Sequence, residues 1–197
     1  SKEREIIQQE IGMYQDSPDY RLFFGALENL YPGTPLADDI AGTRDSISDI
    51  TIDNLHENFD LFYHPSQMHL LVIGKFDVDP ILQVLKEYDQ ISQLPSIKME
   101  RFPVEKNEVK LNQSCRMDVA TPKLAIGIRG NDDIKEEEKF RYKLMLKLLF
   151  SMMFGWTSQR FQSLYEAGKI DNSLKLEVEV EELIHFVILT MDTKDTV

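Results

Sequence analysis

Cysteine is all but missing from this chain. Cys115 is the single one among 197 residues, which excludes an internal disulfide and any cysteine-rich zinc module. Cationic residues are also short: 22 Lys and Arg stand against 34 Asp and Glu, a net charge of −12. That balance argues against nucleic acid or an anionic membrane as main partner, because both demand clustered Lys and Arg. No apolar run approaches the roughly 20 residues that span a bilayer. What is present is 42% hydrophobic and 10% aromatic residues, the composition of a folded domain. We expect a soluble, acidic α+β protein of the cytoplasm.

The order of elements follows from caps and periodicity. A helix is predicted from Lys2 to Gln15, and a second from Pro18 to Leu30, with Ser17 as its N-cap. Tyr31-Pro32-Gly33-Thr34-Pro35 is a loop, and residues 38–43 stay irregular. Thr51 should cap a helix that carries Leu55, Phe59 and Phe62 on one face. After His64-Pro65-Ser66, residues 68–74 read as a buried strand, and Asp79-Pro80 opens a helix with Ile81, Val84, Leu85 and Tyr88 inward. Residues 94–112 are polar and extended. Strands are expected at 115–120 and 124–129, then a long helix from the acidic run at Asp132 to Phe154. Ser158 to Ala167 should form a helix closed by Gly168, and 173–180 with 184–191 a strand pair. Short links between neighbouring strands favour antiparallel pairing, hence an antiparallel sheet packed with helices.

No complete active site is visible. The four histidines, His56, His64, His69 and His185, fall in none of the H-x-x-E-H, H-E-x-x-H or H-x-H patterns. His64 beside Pro65 reads as a turn residue, His69 and His185 as strand residues, and Cys115 as an inert core thiol. There is no G-x-S-x-G, Walker loop or G-x-G-x-x-G, and Gly155-Trp156-Thr157-Ser158 reads as a helix break plus N-cap. The first helix is the sharper feature. Glu3, Ile7, Glu10 and Tyr14 share one face, with the two carboxylates about 10 Å apart. Solvated helix faces often carry such glutamates. Within an apolar stripe, however, a carboxylate calls for a cation, because burying it alone costs about several kcal/mol.

From here the sequence resembles a known family. Glu3-x-x-Ile6-Ile7-x-x-Glu10-Ile11-x-Met13-Tyr14-x-Asp16-x-Pro18 is similar to a segment of the insulinase/pitrilysin zinc metallopeptidases, in particular their processing-peptidase-like members of the Gram-positive type. Asp39-Ile40-Ala41-Gly42-Thr43 with Ser46-Ile47, Phe62-Tyr63-His64-Pro65-Ser66-Gln67-Met68 with Val72-x-Gly74, and Ser158-Gln159-Arg160-Phe161 resemble further family segments in the same order. Enzymes of this family are inverzincins, in which an H-x-x-E-H helix gives two histidine ligands and a general-base glutamate. The resemblance implies that Glu10 is the distal zinc ligand and Glu3 a supporting glutamate. It also implies that residues 1–66 end the zinc-bearing half-domain, and that 67–197 are most of the following half.

The H-x-x-E-H segment is missing from these 197 residues. We therefore expect a piece of a longer zinc peptidase whose parent hydrolyses peptides with a zinc-activated water. This chain alone should bind no zinc and catalyse nothing. The expected partners are the missing N-terminal segment, peptide substrates, and a second copy or a paired active subunit, docked on apolar surface. The alternative is a non-catalytic scaffold or partner subunit of the same family.

Overall fold

The structure is a computed structural model that describes residues 2–64, 68–87, 105, 107–181 and 183–194. It divides into two compact units: Ser1–Arg44 with Pro103–Val197, and Asp45–Phe102.

The first unit opens with helix α1 (Lys2–Gln15), whose Glu3 and Glu5 lie in the first turn, where carboxylates offset the positive end of the helix dipole. Asp16 and Ser17 break it. Ser17 Oγ then accepts the amide N–H of Tyr20, and Pro18 occupies the first turn of α2 (Pro18–Leu30), where a missing N–H costs nothing. Three strands follow, β1 (Lys123–Arg129), β2 (Lys175–Val180) and β3 (His185–Asp192), with α6 (Lys139–Phe154) and α7 (Gln159–Glu166) between β1 and β2. Helices α3 to α5 belong to the second unit, described below, apart from Arg44 at the head of α3.

The sheet is antiparallel throughout, in the order β1-β3-β2. Ile126 opposes Leu189 on one side of β3, and Val178 opposes Val187 on the other. Central β3 is apolar on successive residues because both of its faces are covered. Phe186 and Ile188 join Leu27, Leu30 and Tyr31 of the α2 layer. Val187, Leu189 and Met191 join Phe150, Phe161 and Ile170 of the α6–α7 layer. The chain is α+β, with a small antiparallel sheet between helices.

Local chemistry sets the ends of these helices. Gly155 closes α6, Ser158 Oγ accepts the Phe161 amide to start α7, and Gly168 (φ +68°) takes the left-handed turn that ends it. Lys143 pairs with Glu179 at 2.7 Å, tying α6 to β2. Several α6 residues nevertheless face out, among them Leu144, Leu148 and Met152.

The second unit contains the rest of α3 (Arg44–Asp49), α4 (Ile52–Phe62) and α5 (Val78–Glu87). Thr51 caps α4 through a reciprocal pair with Asn54. No described residue of this unit is buried.

Several expectations need correction. Residues 68–74 form no strand, and Leu71 is 80% and Ile73 87% exposed. A strand exists only through a ladder, and among the described residues nothing pairs with this run. His69 is accordingly exposed and outside any strand, whereas His185 does open β3, buried. Residues 115–120 also lie outside the sheet, so Cys115 is an exposed thiol that accepts from the Arg21 guanidinium, not a core residue. Helix α6 starts at Lys139, after a single 3-10 turn at Glu136–Glu138, because the acidic run before it adopts no helical repeat. Helix α3 was not expected at all, and Val84 and Leu85 of α5 face solvent. Tyr88, Pro65, Ser66 and residues 94–104 lie outside the described residues.

Gly130 packs so closely on the buried His185 ring that a Cβ there would overlap it. Gly25, inside α2, has open space around it. In urea unfolding, Gly130→Ala should lose about 1–3 kcal/mol. Gly25→Ala should gain about 0.5–1 kcal/mol from its helix preference.

Candidate metal centre

The face carrying Glu3, Ile7, Glu10 and Tyr14 is the outer side of α1. Both glutamates are exposed, and Ile7 and Tyr14 are 38% and 40% exposed. Ile11, about 100° round the helix from Glu10 and so on the flank of that face, is 1% exposed and pins the helix to its unit. The desolvation argument for a buried carboxylate therefore does not apply here: Glu10 meets solvent and needs no cation to be stable.

Three further contacts hold α1. The Gln8 amide donates to the Arg44 carbonyl at 3.5 Å, and the Arg44 guanidinium lies over Gly12, within 3.0 Å of where a Cβ would stand. Tyr14 stacks on Tyr20, with ring centroids 4.9 Å apart and planes 14° apart. Tyr20 also packs on Phe24 of its own helix, and its hydroxyl donates to Asp39. The same Asp39 oxygen accepts the Ala41 amide N–H at 2.9 Å, an arrangement by which a short acid side chain shapes its own loop. In the sequence Asp39 stands out only as the first residue of the Asp39-Ile40-Ala41-Gly42-Thr43 motif, and Tyr20 and Arg44 do not stand out. The one available signal was the placement of two tyrosines six residues apart across the Ser17-Pro18 elbow.

Partial burial, reinforced by the Asp39 carboxylate at its hydroxyl, pushes the Tyr20 phenol up to about 12. Ionising this phenol would set a second negative charge against Asp39.

As a metal centre the face is incomplete. Catalytic zinc takes three protein ligands and keeps a fourth position open. Among the described residues, no group of three or more His, Cys, Asp or Glu comes together that could hold a metal ion. His185 is buried inside β3, where its ring meets Tyr142. A solvent-facing carboxylate on a well-anchored helix does fit a single oxygen position of a zinc set. The remaining donors would have to come from elsewhere.

Residues 49–194 match the sequence profile described as the Peptidase M16 inactive domain. Over 198 aligned residues, 98% of this chain and 46% of the relative, the sequence is 36% identical to YmfH of Bacillus subtilis (strain 168), described as an uncharacterized zinc protease. The fold superposes on an M16-like peptidase from Alicyclobacillus acidocaldarius with a TM-score of 0.81 and 27% identity, covering 98% of this chain and 47% of that one. A protease from Helicobacter pylori shares the fold with a TM-score of 0.73 at 15% identity, over 98% of this chain and 47% of that one. The chain thus spans about half the length of these relatives.

The raised phenol gives a pH signature. At high pH the unfolded chain releases the tyrosine proton near 10 and the folded one near 12. The stability from Tyr20 is therefore complete below about pH 10 and is lost as pH rises toward 12. Denaturant unfolding across that window should show this loss in the native sequence and a flatter profile in Tyr20→Phe.

Proposed function

The chain belongs to the M16 peptidase family, and from that premise we propose that it is part of a zinc-dependent peptidase to which it contributes the distal carboxylate ligand, Glu10. The observation that carries this reading is the outward presentation of Glu10 on a helix anchored by its buried neighbour Ile11. Such a side chain can complete a site whose other donors lie on another segment. Glu3, two turns earlier on the same face, would orient a neighbouring ligand through a hydrogen bond. Two histidines and the general-base glutamate come from an H-x-x-E-H helix of the parent. Zinc, when bound, supplies an activated water for peptide hydrolysis. Glu10 holds the metal and Glu3 supports it. The chain alone, with no H-x-x-E-H segment, neither holds zinc nor cleaves peptides.

In this reading residues 1–66 end the zinc-bearing half and residues 67–197 make up most of the following half. The profile described as inactive begins at residue 49 and leaves α1, with both glutamates, outside it. Substrates are peptides, and the acidic chain, at −12, would draw basic ones by electrostatic steering. The nearest partner is the rest of the same protein; a second copy or an active subunit would dock on the apolar surface left open. The single cysteine is in keeping with a cytoplasmic setting. None of the helices is long and apolar enough to cross a membrane, among the described residues.

The test is zinc content and chelator-sensitive peptide cleavage by the full-length parent. Wild type should hold about one zinc per chain, and Glu10→Gln should lose both metal and cleavage. Glu3→Gln should lower activity about 10–100-fold, the usual cost of removing a supporting group. A folded wild-type parent with neither zinc nor cleavage would instead make the protein a scaffold that needs an active partner.

A further inference from the structure

The loop at residues 38–44 contains Asp39-Ile40-Ala41-Gly42-Thr43, the first part of a segment that the proposed function leaves without a role. It bears on α1 directly through Arg44 and, through Tyr20, by way of Asp39, and these contacts bracket Glu10. Arg44 touches both sides, accepting from Gln8 through its carbonyl and covering Gly12 with its guanidinium. Asp39 reaches further along α1 indirectly: it accepts from Tyr20 of α2, whose ring lies flat on Tyr14. Gln8 and Gly12 flank Glu10 by two residues each, and Tyr14 follows one turn later on the Glu10 face. Asp39 is itself fixed by the Ala41 amide, and Gly42 (φ +73°) makes the turn that returns the chain toward Arg44.

We infer that Asp39, Tyr20 and Arg44 are positioning residues for Glu10: they set the rotation and height of the middle of α1, and so the place where its carboxylate meets a metal. This inference rests on the reading of Glu10 as a zinc ligand. The physical reason is the exposure of the Glu10 face. A solvent-facing carboxylate has no packing of its own to restrict it, so its precision must come from the backbone beneath. Ile11 gives one buried point of attachment, about which a helix can still rock. Arg44 adds a point on either side, at Gln8 and Gly12, and Asp39 adds one at Tyr14 through Tyr20. Metal sites lose affinity when such outer supports are removed, typically by about 10–100-fold.

The experiment uses the full-length parent. Zinc affinity is measured by competition with a chromogenic chelator, kcat and KM on a peptide, and amide exchange over residues 8–14 in the metal-free protein. Tyr20→Phe, which keeps the ring and removes the hydroxyl, and Asp39→Ala should each weaken zinc binding about ten-fold. Each should lower kcat with KM unchanged and speed exchange in residues 8–14 but not in β3. Asp39→Asn, which keeps an acceptor oxygen for Tyr20 and Ala41, should restore zinc affinity. Arg44→Ala should loosen the same stretch. Zinc affinity within about two-fold of wild type in all the loop variants, while Glu10→Gln loses the metal, would overturn the positioning role alone. Retention of zinc by Glu10→Gln would overturn the ligand reading and the inference with it.

Discussion

Everything in the larger unit depends on β3 being wanted on both sides. A strand covered on one face alternates apolar and polar residues; β3 does not. Phe186 and Ile188 pack under α2 while Val187, Leu189 and Met191 pack under α6 and α7. Without either layer, one set of these side chains would meet water, at roughly 25 cal/mol per Å² of apolar surface. The placement of α2 follows from this constraint, and Gly127 of β1 permits it by letting Leu30 settle directly on the strand. The placement of α1 follows in turn, since the Ser17-Pro18 elbow and the Tyr14–Tyr20 stack join it to α2.

A half-site on such a frame is chemically sensible. One carboxylate cannot hold zinc against water, but one carboxylate in the right place can be the last ligand of a set. The protein's share of that chemistry is then geometric. Anchored α1 offers Glu10 and Glu3 outward, and the loop carrying Asp39 and Arg44 is the part of this chain best placed to hold them steady. The same division explains the exposed apolar residues on α6 and across the second unit, such as Leu148 and Phe59. In the proposed reading, apolar side chains left this open are where the rest of the protein would dock.

Much of the frame was legible in the sequence because helix ends are written locally. Ser17, Thr51, Ser158 and Gly168 each act within four residues of the positions they terminate. The hairpin of β2 and β3 was legible for a related reason: its partners are neighbours in the chain. Strands at 68–74 and 115–120 were misread because an apolar run, or the alternation of Cys115, Met117 and Val119 with charged residues, speaks to burial, while a strand requires a distant partner. The same composition misplaced Cys115 in the core. The Glu3–Glu10 spacing could be read from a 3.6-residue repeat. Tyr20–Asp39 and Gln8–Arg44, 19 and 36 residues apart, could not, since no local rule brings those residues together. The resemblance carried by the ordered motifs reached the family, and the profile match and the 36% identical relative agree with it.

The central claim is that Glu10 faces a metal held mainly by another part of the same protein. Crystals of the full-length parent, measured on both sides of the zinc absorption edge, test it most directly. The account predicts one anomalous peak bonded to a Glu10 carboxylate oxygen at about 2.0–2.2 Å, with two histidine nitrogens completing the protein ligands. A peak elsewhere in the protein, with Glu10 free in solvent, would contradict it.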